Sequence, residues 1–149
     1  MKMVIVGCGR VGSELARRFE AEGNQVAIID ERPAAFTRLP EDFKGEMIVG
    51  TGLDEGVLRR AGIEGADAFA AVTNGDNRNI MAAQVASVVF KVPRVITRIY
   101  DPIRADFYRT LGMETLCSTA ISAGIIHDYI TTGINRAAGE ESGVKAKAR

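Results

Sequence analysis

Six residues near the N-terminus, Gly7-Cys8-Gly9-Arg10-Val11-Gly12, follow directly on the apolar run Met3-Val4-Ile5-Val6 and open a helical pattern. A second apolar run, Val26-Ala27-Ile28-Ile29, ends on an acid, Asp30. Glycines between a strand and a helix, with an acid about 20 residues further on at the end of the next strand, mark a βαβ unit shaped for a dinucleotide. Each glycine has a separate mechanical part. Gly7 makes the tight turn, Gly9 admits a pyrophosphate to the backbone, and Gly12 lets the helix pack close to the strand. The phosphates are expected on the free N–H groups and positive dipole end of a helix beginning near Arg10. Asp30 is expected to accept hydrogen bonds from two ribose hydroxyls. Glu31 beside it opposes a 2′-phosphate, whereas Arg32 would favour one.

Strand and helix signals alternate along the rest of the chain. A helix carrying Leu15, Ala16 and Phe19 on one face stops at Gly23-Asn24, and Pro33 starts a second one that Pro40 halts. Met47-Ile48-Val49 is a short strand, and Asp54 is placed to cap the helix that follows. Ala68 to Thr73 does not alternate and predicts a strand buried on both faces. A long helix is expected from about Arg78 to Phe90, then a strand over Val92 to Ile99. Pro102 opens a helix with Ile103, Phe107 and Leu111 on one stripe, and Thr115-Leu116-Cys117 is a short strand. A last helix takes Ile121, Ile125, Tyr129 and Ile134. The pattern predicts an α/β protein with a doubly wound parallel six-stranded sheet (Rossmann fold, order 3-2-1-4-5-6) and a C-terminal helix. Residues 1–136 are expected to form one dinucleotide-binding domain and 137–149 a frayed polar tail.

Composition narrows the function classes. Basic and acidic side chains balance at 19 each, so no net field favours nucleic acid or an anionic membrane. No apolar run approaches the ~18 residues of a membrane span. Met1-Lys2 leads straight into a strand, which leaves no room for a signal peptide. Cys8 and Cys117 make neither a disulfide framework nor a zinc pattern, and a reducing cytosol is the expected compartment.

In the predicted sheet the odd segments converge at the switch point between the first and fourth strands: Gly7–Gly12, Asp30, Gly50–Leu53 and Thr73–Asp76. Arg10 either covers a pyrophosphate or projects into solvent. Thr51, Gly52 and Leu53 fall where adenine would pack, or form a plain strand-to-helix turn. Thr73, Asn74, Asp76 and Asn79 stand at the nicotinamide or phosphate end, or cap the long helix. Arg98 interrupts a buried strand and needs an anion: a terminal phosphate, a neighbouring subunit or Asp101. Cys8 is either a thiol activated by the helix end or a small buried filler. His127 stands alone and is read as exposed rather than catalytic. The last helix has more apolar positions than one sheet edge needs, which fits either core packing or a second subunit.

Taken together, Gly7-x-Gly9-Arg10-Val11-Gly12, Ile29-Asp30, Leu58-x-x-Ala61-Gly62-Ile63, Ala66-Asp67-Ala68, Ala71-Val72-Thr73, Asn79, Val92-Pro93-x-Val95-Ile96-x-Arg98 and Leu111-Gly112 resemble the N-terminal nucleotide-binding domain (RCK-N or KTN) of Trk-type potassium-uptake regulators. The resemblance spans residues 2–130. It implies a cytoplasmic, non-catalytic regulatory domain, peripheral to the inner face of the cell membrane, that binds NAD(H) or ATP/ADP, or AMP. It implies a homodimer or larger ring coupled to a membrane-embedded potassium channel or transporter subunit. There are three departures from the family pattern. Thr51 stands where an Asp is usual, and Ala120 where some relatives place a glutamate on an inter-subunit cation. The smaller C-terminal ligand domain is absent, so the chain is expected to be a lone N-domain or a piece of a longer one. A reading from a different class, the cofactor domain of an NAD-dependent dehydrogenase without its catalytic domain, stays open on fold alone.

Overall fold

In the computed structural model, which describes residues 1–133, the strands join in one sheet. They are β1 (Lys2–Val6), β2 (Gln25–Asp30), β3 (Glu46–Val49), β4 (Ala68–Ala71), β5 (Arg94–Arg98) and β6 (Glu114–Leu116). Their order is β3-β2-β1-β4-β5-β6, as the alternation of signals predicts, and every neighbouring pair is parallel. Parallel pairing demands crossover helices on both faces, so the central strands are apolar throughout. Val4, Ile5, Ile28, Ile29 and Phe69 are fully buried.

Alternation along β1 assigns the two faces. Met3 and Ile5 pack with Ala16 of helix α1 (Arg10–Ala21) and with Ala35 and Leu39 around the 3₁₀ turn Pro33–Arg38. Val4 and Val6 pack with Leu58 of α2 (Glu55–Arg60) and Ala82 of α3 (Asp76–Gln84), which continues as a π-helical turn, Val85–Val89. Alanines at 27, 68, 70 and 71 are small enough to let these helices lie close to the sheet. A third cluster joins Ile80, Ile99 and Cys117 to Ala105 of α4 (Pro102–Thr110).

Several local expectations shift. The segment after Pro33 winds as a 3₁₀ turn rather than an α-helix. β4 stops at Ala71 because the Thr73 N–H turns to a side chain, the Asn79 Oδ1, at 2.9 Å. α3 starts at Asp76, ahead of Arg78, and β5 starts at Arg94, beyond Pro93, which cannot donate to the ladder. Asp54 caps α2 through the Val57 N–H at 3.0 Å, as expected. The stripe on α4 faces outward: Ile103, Phe107 and Leu111 are 82%, 57% and 61% exposed, while Ala105 makes the buried contact. Cys117 lies beyond β6, and its Sγ accepts the Ala120 N–H at 3.5 Å at the start of α5 (Ser118–Thr132). α5 has no buried residue, and Ile121, Ile125, Ile126, Tyr129 and Ile130 stand exposed. Ile134 and the predicted tail 137–149 lie outside the described residues. Among those described, no helix is long and apolar enough to cross a membrane.

Candidate functional site

Where strand order reverses, between the carboxyl ends of β1 and β4, the surface opens into a cleft of about 740 Å³. That volume lies in the range of small-molecule sites. Its lining comes from four separate loops: Gly7, Gly9, Arg10 and Val11; Asp30, Glu31 and Arg32; Thr51, Gly52 and Leu53; and Thr73 with Asn74. Arg98 lines it as well. Gly12, Asp76 and Asn79 do not, and serve the cleft from behind.

Sterics account for the first loop. Gly7 holds φ +105°, and its N–H donates to the Ile29 carbonyl at 2.7 Å. A Cβ at Gly12 would run into the Gly7 carbonyl oxygen, so only glycine lets α1 seat against the loop. Gly9 is different: its backbone is extended, and a Cβ there would meet nothing within 4 Å. It borders open cleft. α1 then starts with no side-chain cap and no acid in its first turn. The first N–H groups of a helix lack partners within it, and the dipole there is positive. Such an end is a receptor for an anion.

Asp30 is held in position by backbone donors. Its Oδ2 accepts the Cys8 N–H at 2.8 Å and its Oδ1 the Arg32 N–H at 2.9 Å. Each oxygen keeps a further lone pair for a hydroxyl donor. The Arg32 guanidinium stands 3.8 Å off. Cys8 is buried, with its Sγ donating to the Ala35 carbonyl at 3.4 Å. Burial first, and the Asp30 charge second, push its thiol up to about 11, so it is a protonated core group at neutral pH.

Behind the cleft lies a polar network that sequence spacing alone does not reveal. Asn79 is fully buried and touches both walls. Its Oδ1 accepts from the Thr73 N–H and hydroxyl, while its Nδ2 donates to the Thr73 and Arg98 carbonyls, both at 2.9 Å. Asp76 accepts the Tyr100 and Asp101 N–H groups at 2.9 and 3.3 Å, and so ties the start of α3 to the turn after β5. The Arg98 guanidinium, 9% exposed, does not pair with Asp101, the intramolecular partner that the sequence suggests. Its Nη2 donates to the Val72 and Thr73 carbonyls at 2.6 and 2.9 Å, and its plane lies 4.7 Å over the Tyr100 ring. Its Nε is buried with no partner. Asp101 instead caps α4 through the Ile103 N–H at 2.9 Å. His127 is exposed beside Asp128, and is not among the residues lining the cleft.

Three polar lining residues escape the sequence reading: Arg38, Arg78 and Tyr100. Arg78 did carry a signal. A cation in the first turn of a helix opposes the dipole, and Arg10 and Arg78 both stand there facing the same space. Among the described residues no group of three or more His, Cys, Asp or Glu side chains is arranged to hold a metal.

Comparison with known proteins follows the same outline. The TrkA-N domain model matches residues 3–119. The Trk system potassium uptake protein TrkA of Streptomyces coelicolor is 51% identical over 123 residues, which cover 83% of this chain; the chain spans about half, 55%, of that relative's length. Among solved structures, the AMP-bound Kef CTD of Shewanella denitrificans superposes with a TM-score of 0.75 at 21% identity, over 96% of this chain and 89% of that one. The GsuK channel bound to NAD gives 0.74 at 20% identity, over 89% and 23%. At such identities the likeness is one of fold.

Proposed function

Because this chain belongs to the TrkA-N domain family, we propose that it is the nucleotide-sensing part of a potassium-uptake system. The observation that carries the reading is the pairing, in one cleft, of an uncapped helix end with an acid anchored beside it by the glycine loop. The backbone N–H groups of Arg10, Val11 and Gly12 would hold the phosphates, with Arg10 above them. Asp30 would hold the ribose, and Thr51, Gly52 and Leu53 would flank the base. Thr73 and Asn74 would meet the distal end of a dinucleotide or polyphosphate. Arg98, already spent on two carbonyls, adds its positive field and an unbonded Nε–H behind them. The ligand is NAD(H) or ATP/ADP, with AMP as the smallest member; relatives of this fold hold AMP and NAD. The lining binds anions and hydroxyls and serves regulation rather than catalysis.

The site works by coupling. A ligand shifts a two-state assembly only by the difference of its affinities for the two states. The domain acts on the cytoplasmic side of the membrane, as a homodimer or larger ring against a potassium channel or transporter subunit. Two apolar surfaces support self-association. One is the exposed face of α5, and the other is a groove of about 880 Å³ beside α1, lined by Met3, Leu15, Ile96 and Leu116. Replacing Ile126 and Ile130 by Glu removes no buried contact of the protomer. The double variant should therefore sediment as a folded monomer while the parent sediments as a dimer or larger species. Identical masses for both would exclude α5 from the interface.

Thermal melting tests the ligand reading. At 100 times its dissociation constant a ligand adds about 2.7 kcal/mol, which in a domain of this size raises Tm by roughly 5–10 °C. NAD, NADH, ATP, ADP or AMP should give such a shift. Asp30→Ala should weaken the binding by ~1–3 kcal/mol, roughly 5- to 150-fold. No shift with any of the five at millimolar concentration would overturn the reading, and an unchanged affinity in the variant would remove Asp30 from it.

A further inference from the structure

One ion pair crosses the mouth of the cleft. The Arg78 Nη1, on the first turn of α3, lies 3.0 Å from the Glu31 Oε2, just past the end of β2. β2 and β4, the strands that lead to these two residues, flank β1 in the sheet, so the pair spans the crevice where a ligand would enter. Both side chains are about half exposed, 51% each.

Three physical points bear on this contact. Exposed ion pairs are weak, because water and salt screen them and two long side chains must be ordered. A cation in the first helical turn is disfavoured by the dipole unless an anion answers it. A phosphate answers it better than one carboxylate does, since it carries more charge and accepts charge-assisted hydrogen bonds through several oxygens. Glu31, for its part, is a like charge to any phosphate in the cleft.

We infer that Arg78 is a phosphate-binding residue held in reserve by Glu31, so that the pair straps the free cleft and yields to a ligand carrying a diphosphate or longer group. The inference rests on the nucleotide reading given above and assigns it one more recognition residue. When the ligand enters, the guanidinium leaves Glu31 for a phosphate oxygen, and the carboxylate turns to solvent. Affinity thereby depends on the phosphates beyond what the glycine loop contributes. A ligand that lacks phosphate has nothing to exchange for the ion pair and leaves the strap closed.

A double-mutant cycle on the full chain tests the exchange. ADP and adenosine affinities are measured by titration calorimetry for the parent, Glu31→Gln, Arg78→Gln and the double variant, with circular dichroism confirming that each folds. Arg78→Gln should weaken ADP by about 5- to 30-fold and leave adenosine unchanged. Glu31→Gln should tighten ADP by about 3- to 10-fold when Arg78 is present, and by less than about twofold when it is not. An unchanged ADP affinity in Arg78→Gln overturns the inference. So does a gain from Glu31→Gln that persists in the Arg78→Gln background, since that is bulk charge alone. A parent that binds neither compound overturns this inference, and the nucleotide reading falls with it only if NAD, NADH, ATP and AMP also fail to bind, whereas a parent that binds ADP with a flat cycle overturns the strap only.

Discussion

Gly9→Val should abolish nucleotide binding while the chain stays folded. The Gly9 backbone is extended at φ −82°, which an L-residue adopts, and a Cβ meets no atom within 4 Å. Nothing in the fold resists the side chain, so stability should stay within about 0.5 kcal/mol and Tm within about 2 °C. The valine would instead fill the space over the first-turn N–H groups of α1 and keep a phosphate from reaching them. The expected loss is at least about 100-fold, roughly 2.7 kcal/mol. Gly12→Ala, three residues on, should do the reverse. Its methyl collides with the Gly7 carbonyl, and Gly7 cannot yield, because it is itself locked at positive φ against Thr73. That variant should lose about 3 kcal/mol or more of stability. Melting curves and ADP or NAD titrations of the two proteins, side by side, separate the roles. Retained binding in Gly9→Val would mean that the loop is not where the phosphates lie.

Asn79→Ala should be the most damaging polar substitution in the domain. The side chain is fully buried and makes four hydrogen bonds. Its removal leaves the Thr73 N–H and the Arg98 carbonyl without that partner, each worth about 1–3 kcal/mol, leaves the Thr73 carbonyl with the Arg98 guanidinium as its remaining donor, and opens a small cavity as well. These costs overlap, so the expected total is about 3–5 kcal/mol and a fall in Tm of roughly 10–15 °C. Asn79→Leu restores the volume but not the hydrogen bonds, and should still lose about 2–3 kcal/mol. Because Thr73 and Arg98 both line the cleft, the surviving folded fraction should also bind nucleotide more weakly. Denaturant unfolding of the two variants measures the loss. A cost below about 1 kcal/mol in both would show that the network is not what holds β4 and β5 in register behind the site.

These two positions illustrate what was readable before folding. Gly9 announces itself, because a glycine loop between strand and helix has a local meaning that survives in any surroundings. Its spacing makes Asn79 a candidate for the nicotinamide or phosphate end of the site or for a helix cap. In the fold it joins the Thr73 loop to the Arg98 carbonyl 19 residues away, a closure that no spacing rule contains. Arg98 makes the same point. Burial of a guanidinium calls for an anion, Asp101 being the one within the chain, yet within the chain backbone carbonyls and a tyrosine face receive it.

The sequence by itself determined the alternation of strand and helix, the order of the sheet, the glycine loop and the acid that ends the next strand. All of these follow from short-range periodicity and from the steric freedom of single residues, which a chain carries whether folded or not. Tertiary structure alone decided which face of a helix meets the sheet and which polar groups meet each other. Periodicity groups Ile103, Phe107 and Leu111 on one stripe, but the small Ala105 is what fits against the neighbouring elements, so the stripe turns outward. Glu31 and Arg78, 47 residues apart, become neighbours only because β2 and β4 flank β1. The reason is common to both cases: a local pattern fixes which residues act together, whereas what they act upon depends on segments brought near by the closing of the whole sheet.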